Sequence, residues 1–191
     1  NPALLLFDNN FGNEMINLLS RYCSGLPASL IPYSMHSVGR AGHDLMVSAI
    51  AIGFKKIFIL VDPKNIEEFD FLPKQIELAN ALLSGVAKNE NNSIIMIEEN
   101  DPEKIEEIIY EKNGYTKIKS SSFIAVGAPR GILRTAIQGL SKSNKNKQEI
   151  IPLPDNSPYG IVNVNTESCT ICLSCVSACP AGALQDNPEL P

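Results

Sequence analysis

Five short apolar runs alternate with amphipathic stretches along the first 140 residues of the chain. Runs of this length without charged residues are typical of strands that are buried on both faces of a sheet. They lie at positions 3–7, 30–33, 57–61, 94–97 and 122–126. Because parallel strands need a crossover helix between them, the alternation predicts a doubly wound parallel sheet of about five strands, with helices on both faces.

Apolar residues at helical spacing predict a helix after each run. The first helix uses Met15, Leu19, Tyr22 and Cys23 as its inner face, where we expect Cys23 to be a buried core thiol. The other four are expected from Gly42 to Gly53, over 72–86, from Asp101 onward and over 129–140. Pro32 cannot donate to a strand ladder, which indicates that the run at 30–33 lies at a sheet edge. This order of elements predicts a flavodoxin-like α/β domain over residues 1–141.

Composition and charge exclude several classes of protein. The chain has 191 residues, of which 44% are hydrophobic and 19% charged, which excludes a disordered chain. Its apolar stretches are shorter than the roughly 18 residues that cross a bilayer. Positions 150–191 contain four acidic residues and neither Lys nor Arg, so we expect no nucleic-acid partner.

Two features of the chain bear on its processing and domain organisation. No charged segment precedes the run at 3–7, so we expect no signal peptide and a cytoplasmic protein. The start without Met and the linker-like end at 187–191 lead us to expect an excised piece of a longer protein. The lysine-rich stretch around 141–147 predicts a linker at 142–149, followed by a small second domain over 150–191.

Four of the five cysteines form a run, Cys169, Cys172, Cys175 and Cys179, followed by Pro180. The pattern C-x2-C-x2-C-x3-C-P is typical of iron–sulfur ligation, because three thiolates two residues apart let a short loop wrap one cluster. Zinc sites prefer two C-x2-C pairs that are a dozen or more residues apart, and disulfide frameworks belong to small secreted chains. Zinc binding and disulfide formation remain as alternatives, but this spacing favours an iron–sulfur cluster over both.

Residues 160–184, GIVNVNTESCTICLSCVSACPAGAL, resemble the first half of a bacterial two-cluster [4Fe-4S] ferredoxin, with a short strand before the cysteines. The resemblance implies a [4Fe-4S] cofactor with Cys169, Cys172, Cys175 and Cys179 as ligands. In that family the fourth cysteine of a run reaches the other cluster. The present sequence has no second run, so either all four thiolates hold one cluster or the partner run lies in a missing second half.

The whole chain is similar to longer [4Fe-4S] proteins that are associated with formate dehydrogenases and place an α/β segment before C-T-x-C-L-S-C-V-S-A-C-P. This resemblance implies electron delivery to or from a larger oxidoreductase. We expect a carrier of single electrons that performs no substrate chemistry of its own. Two alternatives stay open: an iron–sulfur redox sensor, and an α/β enzyme domain that the cluster supplies with electrons. Within the α/β domain, His36 and His43 are candidates for an anion site, and a dyad of His43 with Asp44 or Ser48 depends on tertiary geometry.

Overall fold

Four parallel strands form one sheet in the computed structural model, in the order β2-β1-β3-β4. The strands are β1 (Ala3–Asp8), β2 (Leu30–Met35), β3 (Lys56–Leu60) and β4 (Ile94–Ile97). The structure describes residues 2–87, 93–111, 118–144, 148, 150–155, 157–160, 162–180 and 182–186. The strand order agrees with the first four strands of the predicted flavodoxin-like order, and β2 lies at an edge as Pro32 indicates.

Within the described residues, five α-helices accompany the sheet and a sixth lies in the cysteine run. They are α1 (Phe11–Tyr22), α2 (His43–Ile52), α3 (Leu72–Ala87), α4 (Pro102–Tyr110), α5 (Pro129–Ser143) and α6 (Ser174–Ala178). Helix α2 ends at Gly53, whose φ of 137° is a conformation that side chains with a Cβ rarely adopt. Helix α4 begins at Asp101, whose Oδ1 accepts the Glu103 N–H at 3.0 Å.

The helices cover both faces of the sheet, which confirms the doubly wound α/β prediction. Helices α1 and α4 pack together on one face, and α2 packs with α3 and α5 on the other. The first face contains a core cluster built from alternate strand residues and from the inner sides of the two helices, such as Leu5, Phe58, Leu19 and Ile105. Tyr22 is not part of it, because this predicted inner-face residue is 76% exposed in the last turn of α1.

The prediction of a fifth strand at 122–126 is wrong, because these residues have no regular secondary structure. Just before them, the Ser121 N–H donates to the carbonyl oxygen of Ala51 in α2 rather than to β4. Ile124 and Val126 are 79% and 76% exposed, so the apolar run is not buried in a sheet. Apolar composition alone therefore does not show whether a segment joins a sheet as a strand or forms hydrogen bonds with a helix instead.

The short strand expected before the cysteines is also absent from the described positions 162–165. Val162 and Val164 alternate with polar residues as a strand would, but both are mostly exposed and make no ladder. Alternation is sufficient for a strand only where a neighbouring strand offers free backbone groups.

The chain forms two compact units, Asn1–Ser157 and Pro158–Pro191. Near the end of the first unit, the Gln148 N–H donates to the Gly85 carbonyl in α3 at 2.8 Å, and Ile151 packs over Gly85. The domain limits predicted from the sequence stay a prediction. Within the described residues, no helix combines the length and the apolar character that a bilayer crossing requires.

Candidate metal centre

A tight turn presents the first cysteine of the run. The carbonyl oxygen of Asn165 accepts the N–H groups of Ser168 and Cys169, at 3.3 and 3.0 Å. The side-chain Oδ1 of Asn165 accepts the Glu167 N–H at 3.0 Å. Asn suits this position because its short amide can cap a turn of its own backbone. The turn leaves Cys169 exposed at the start of the loop.

Two residues between the cysteines have left-handed backbone conformations. Ile171 has a φ of 54° and Leu173 a φ of 57°. Left-handed conformations cost a residue with a Cβ about 1–2 kcal/mol, and they are least common for β-branched residues such as isoleucine. Changes between right-handed and left-handed backbone turn successive N–H groups into a concave surface for anions, which occurs in many Fe–S sites. The two left-handed residues in this loop are the kind of backbone element from which such surfaces are built.

Helix α6 follows this loop and carries the third cysteine. The Leu173 carbonyl accepts the N–H groups of Val176 and Ser177, at 3.0 and 3.1 Å, which starts the helix directly after the left-handed residue. Cys175 lies in the first turn and is exposed. Cys179 ends the helix, where its N–H donates to the Val176 carbonyl at 3.3 Å.

The fourth thiol has a different environment from the first three. Cys179 is partly buried, whereas Cys169, Cys172 and Cys175 are exposed. The Ala183 N–H donates to the Cys179 Sγ at 3.3 Å. Backbone N–H groups that donate to thiolate sulfurs stabilise the negative charge and raise the reduction potential of an Fe–S centre.

The second thiol, that of Cys172, has a lowered pKa and loses its proton more readily than an ordinary cysteine. Its Sγ lies 3.3 Å from the Ser174 Oγ. Hydrogen bonds from the hydroxyl and backbone of Ser174, with a further one from Thr170, lower the pKa of Cys172 to about 7. Metals bind the thiolate form of cysteine, so this environment favours metal binding near neutral pH.

The donor set fits an iron–sulfur cluster. None of the five cysteines forms a disulfide in the structure, so no disulfide competes with a cluster for their sulfurs. Four soft sulfur donors on one short loop match the ligands that Fe–S clusters take. Among the described residues, no three His, Cys, Asp or Glu side chains already lie together as a metal site. The structure thus brings the cysteines onto one loop without drawing their sulfurs into a closed group.

A comparison with protein families agrees with this geometry. Residues 162–185 match the 4Fe-4S binding domain, Fer4. The segment is therefore an iron–sulfur segment, and a [4Fe-4S] cluster is its cofactor. The match covers all four cysteines of the run and includes no residue of the α/β unit, which ends at Ser157. The chain matches no curated protein and no solved structure.

The other candidate residues of the sequence do not form a second centre. The N–H and Nδ1 of His43 both lie within hydrogen-bond distance of Gln75 Oε1, at 3.1 and 2.6 Å. A dyad of His43 with Asp44 or Ser48 would therefore not use that ring nitrogen. His36 is exposed on the loop after β2. Cys23 follows α1, packs against the core cluster and is partly buried. Burial and the carboxylates of Glu106 and Glu103 raise the pKa of Cys23, which makes it a poor nucleophile.

The left-handed residues Ile171 and Leu173 are the functional feature that sequence reasoning missed. Glycine and asparagine are the usual signals for this backbone conformation, and neither is present at these positions. Only the spacing of the surrounding cysteines pointed to a loop that must wrap a cofactor.

Proposed function

We propose that this chain is an electron carrier that moves single electrons through a [4Fe-4S] cluster held by Cys169, Cys172, Cys175 and Cys179. The observation that carries the proposal is the family match over residues 162–185, which contains the complete cysteine run. When bound, the cluster supplies a one-electron redox centre. The protein supplies four thiolates, and the Ala183 N–H stabilises negative charge at the Cys179 sulfur.

The exposure of the loop supports transfer to a partner protein. Cys169, Cys172 and Cys175 are exposed, and Ile171 beside them is 76% exposed, so a docked partner could approach the cluster closely. We propose a larger oxidoreductase as this partner, of the kind linked to formate dehydrogenases, and a cytoplasmic location. The partner follows from the resemblance of the chain to such [4Fe-4S] proteins, and the location from a cysteine spacing that is not typical of disulfide frameworks.

The test is anaerobic reconstitution of the chain, followed by iron and sulfide analysis and by EPR before and after dithionite. We expect about four irons per chain, as a [4Fe-4S] cluster requires, and a signal that appears on reduction and disappears on reoxidation. A substoichiometric, unstable cluster would indicate that Cys179 serves a second cluster instead. Tight zinc binding without iron contradicts the proposal.

The same experiment separates a carrier from a redox sensor. A carrier returns to its starting spectrum through repeated reduction and oxidation, because its cluster stays intact. A sensor that responds by losing its cluster releases iron during these cycles. Iron in the filtrate after each cycle is the direct measurement.

A further inference from the structure

An open cavity of about 410 Å³ lies in the α/β unit, between helix α2 and the edge of the sheet. Its floor is formed by Leu4 and Leu6 of β1 and by Ile31 and Tyr33 of β2. These residues are register partners in adjacent parallel strands, so they share one sheet face. Helix α2 and the first turn of α5 form the walls.

The part of this sheet face that belongs to β2 is in contact with water. Parallel sheets are almost always covered on both faces, and β1 and β3 are buried as this rule requires. Ile31 and Tyr33 differ, because they are 49% and 56% exposed. Ile52, which lines the cavity from the end of α2, is 59% exposed. The described helices of the chain therefore leave part of the sheet face uncovered.

An exposed apolar segment borders the same cavity. It starts where the Ser121 N–H donates to the last turn of α2, and it ends just before Pro129. The last turn of α2 and Pro129 both line the cavity. Ile124 and Val126 lie within this segment and are mostly exposed. The segment and the β2 face together form what we call the apolar surface, which consists of Ile31, Tyr33, Ile52, Ile124 and Val126.

The area of the apolar surface matches what a stable dimer buries. From their exposed fractions, its five residues present roughly 500 Å² to water. A standard interface buries about 800 Å² on each partner, and about 65% of a homodimer interface is apolar. The apolar part of such an interface is therefore roughly 500 Å² per partner. One chain supplies that area with these residues alone.

The charges around the apolar surface allow two copies to meet there. The chain has a net charge of −5, so two copies repel each other where acidic residues face acidic residues. Among the described residues that line the cavity, Asp44 is the one charged residue, and the exposed Arg130 follows the lining residue Pro129. The surface thus has one charge of each sign at its border. A partner selected by its charge would instead need an excess of one sign.

The free edge of β2 is unsuited to pairing with another strand. The Ala3 N–H donates to the Ser29 carbonyl, so the even-numbered residues of β2 direct their backbone groups to the free edge. At the centre of that edge Pro32 has no N–H, and the Leu30 N–H already donates to the Pro27 carbonyl. A partner is therefore directed to the sheet face and not to the edge.

We propose that a second copy of this chain covers the apolar surface, in a two-fold symmetric dimer of α/β units. In a two-fold interface the same surface of each copy faces the other, which an apolar surface with balanced charges permits. The packing removes the β2 face and the segment 122–126 from water in both copies. The dimer goes beyond the proposed electron-carrier function, because the apolar surface contains none of the cluster cysteines.

The test is sedimentation velocity of the full chain with its cluster reconstituted, in anaerobic buffer with excess reductant so that no disulfide links two chains. The protein concentration is varied from about 1 μM to about 100 μM, because a dimer dissociates on dilution. We expect the dimer to be the main species at the highest concentration and the monomer to appear on dilution.

Tyr33→Glu and Ile52→Glu place a carboxylate within the apolar surface. Each should weaken the dimer about 100-fold or more, because a buried unpaired charge is costly and a two-fold interface contains it twice. Both residues are more than half exposed in the single chain, so the variants should keep the iron content and circular dichroism of the wild type. Tyr22→Glu is the matched control, because Tyr22 is 76% exposed on α1 at the other sheet face. It should change the dimer dissociation constant less than about twofold.

A chain that stays monomeric at about 100 μM overturns the proposal and leaves the apolar surface to a partner of different sequence. A dimer that Tyr33→Glu and Ile52→Glu leave intact also overturns it, because the copies then meet through another surface. Replacing the four cysteines of the loop by Ala should preserve the dimer. If the dimer is lost in that variant, the cysteine loops hold it together and the proposal is wrong. Ile124→Glu takes the place of Tyr33→Glu if that variant fails to fold.

Discussion

The four sulfur donors of the loop are distinguished from Cys23 by position and by chemistry. Three of them are exposed, and hydrogen bonds already lower the pKa of one, Cys172, to about 7. Cys23 has the opposite environment, because burial and nearby carboxylates raise its pKa. Cys23 can therefore serve as an internal control when the reactivity of the Cys172 thiol is measured.

Replacing any one of Cys169, Cys172, Cys175 and Cys179 by Ala should cost most of the bound iron. Loss of a cluster ligand is more severe than loss of an outer partner, which typically lowers metal affinity about 10–100-fold. Iron analysis and visible absorbance after reconstitution provide the measurement. Cys23→Ala is the control and should keep its full iron content; a Cys179→Ala variant that does so too would remove that residue from the ligand set.

The left-handed conformation of Ile171 supports a second prediction at the scale of single residues. Proline restricts φ to about −65°, so Ile171→Pro cannot form the loop and should fail to hold the cluster. Ile171→Gly permits the same φ and should hold it, because glycine adopts positive φ without steric cost. Both are compared with the wild type by iron content. Equal iron content in the proline variant would show that the cluster does not need this backbone form.

At the scale of elements, one glycine of α3 sets how closely the chain after α5 can approach the helix. A Cβ at Gly85 would lie 2.5–2.8 Å from three side-chain atoms of Ile151. The Gln148 N–H donates to the Gly85 carbonyl in the same place. Helix glycines are otherwise unfavourable by about 0.5–1 kcal/mol relative to alanine, so this one is explained by close packing.

Gly85→Val should therefore lower the free energy of unfolding by about 1–3 kcal/mol, as overpacking does. Adding Ile151→Ala should recover part of that loss, because it removes the atoms that the new side chain meets. Chemical denaturation measures both. Gly131→Ala on α5, where a Cβ meets nothing within 4 Å, is the matched control and should be neutral or stabilising. If the changes in unfolding free energy of Gly85→Val and Ile151→Ala simply add in the double variant, the contact between these residues is not the cause of the destabilisation.

At the scale of the whole molecule, net charge affects how the protein meets redox partners. The chain has a formal net charge of −5, and positions 150–191 contain no Lys or Arg. Complementary charges accelerate the encounter of two proteins more than they strengthen the complex. An electron carrier with this charge distribution should favour basic partners.

We expect the reduced protein to reduce a basic c-type cytochrome several-fold more slowly at about 0.15 M salt than at about 0.01 M. Over this range the screening length falls from about 30 Å to about 8 Å. Stopped-flow spectroscopy of the cytochrome measures the rate. An acidic blue-copper protein is the control acceptor and should show a rate that rises with salt. A basic acceptor whose rate is independent of salt would contradict electrostatic steering.

Most of the sheet and its helices could be predicted from the sequence because their signals are local. The run at 57–61 lies within one residue of the fully buried β3, and Asp101 and Gly53 bound their helices as predicted. Likewise, the spacing of the cysteines identified the cofactor segment without any knowledge of the fold. Periodicity, capping and ligand spacing depend on residues that are near each other along the chain.

Three features are determined only by the tertiary structure. They are the absence of a strand at 122–126, the left-handed conformation of Ile171 and the cavity beside α2. The run has the apolar composition of a strand, but its neighbour Ser121 bonds to α2 and leaves it outside the sheet. Ile171 adopts a conformation that its own side chain disfavours, so residue preference does not predict it. The cavity combines β1, β2, α2 and α5, which are distant in sequence. These features depend on which segments meet in space, and local residue patterns do not encode that information.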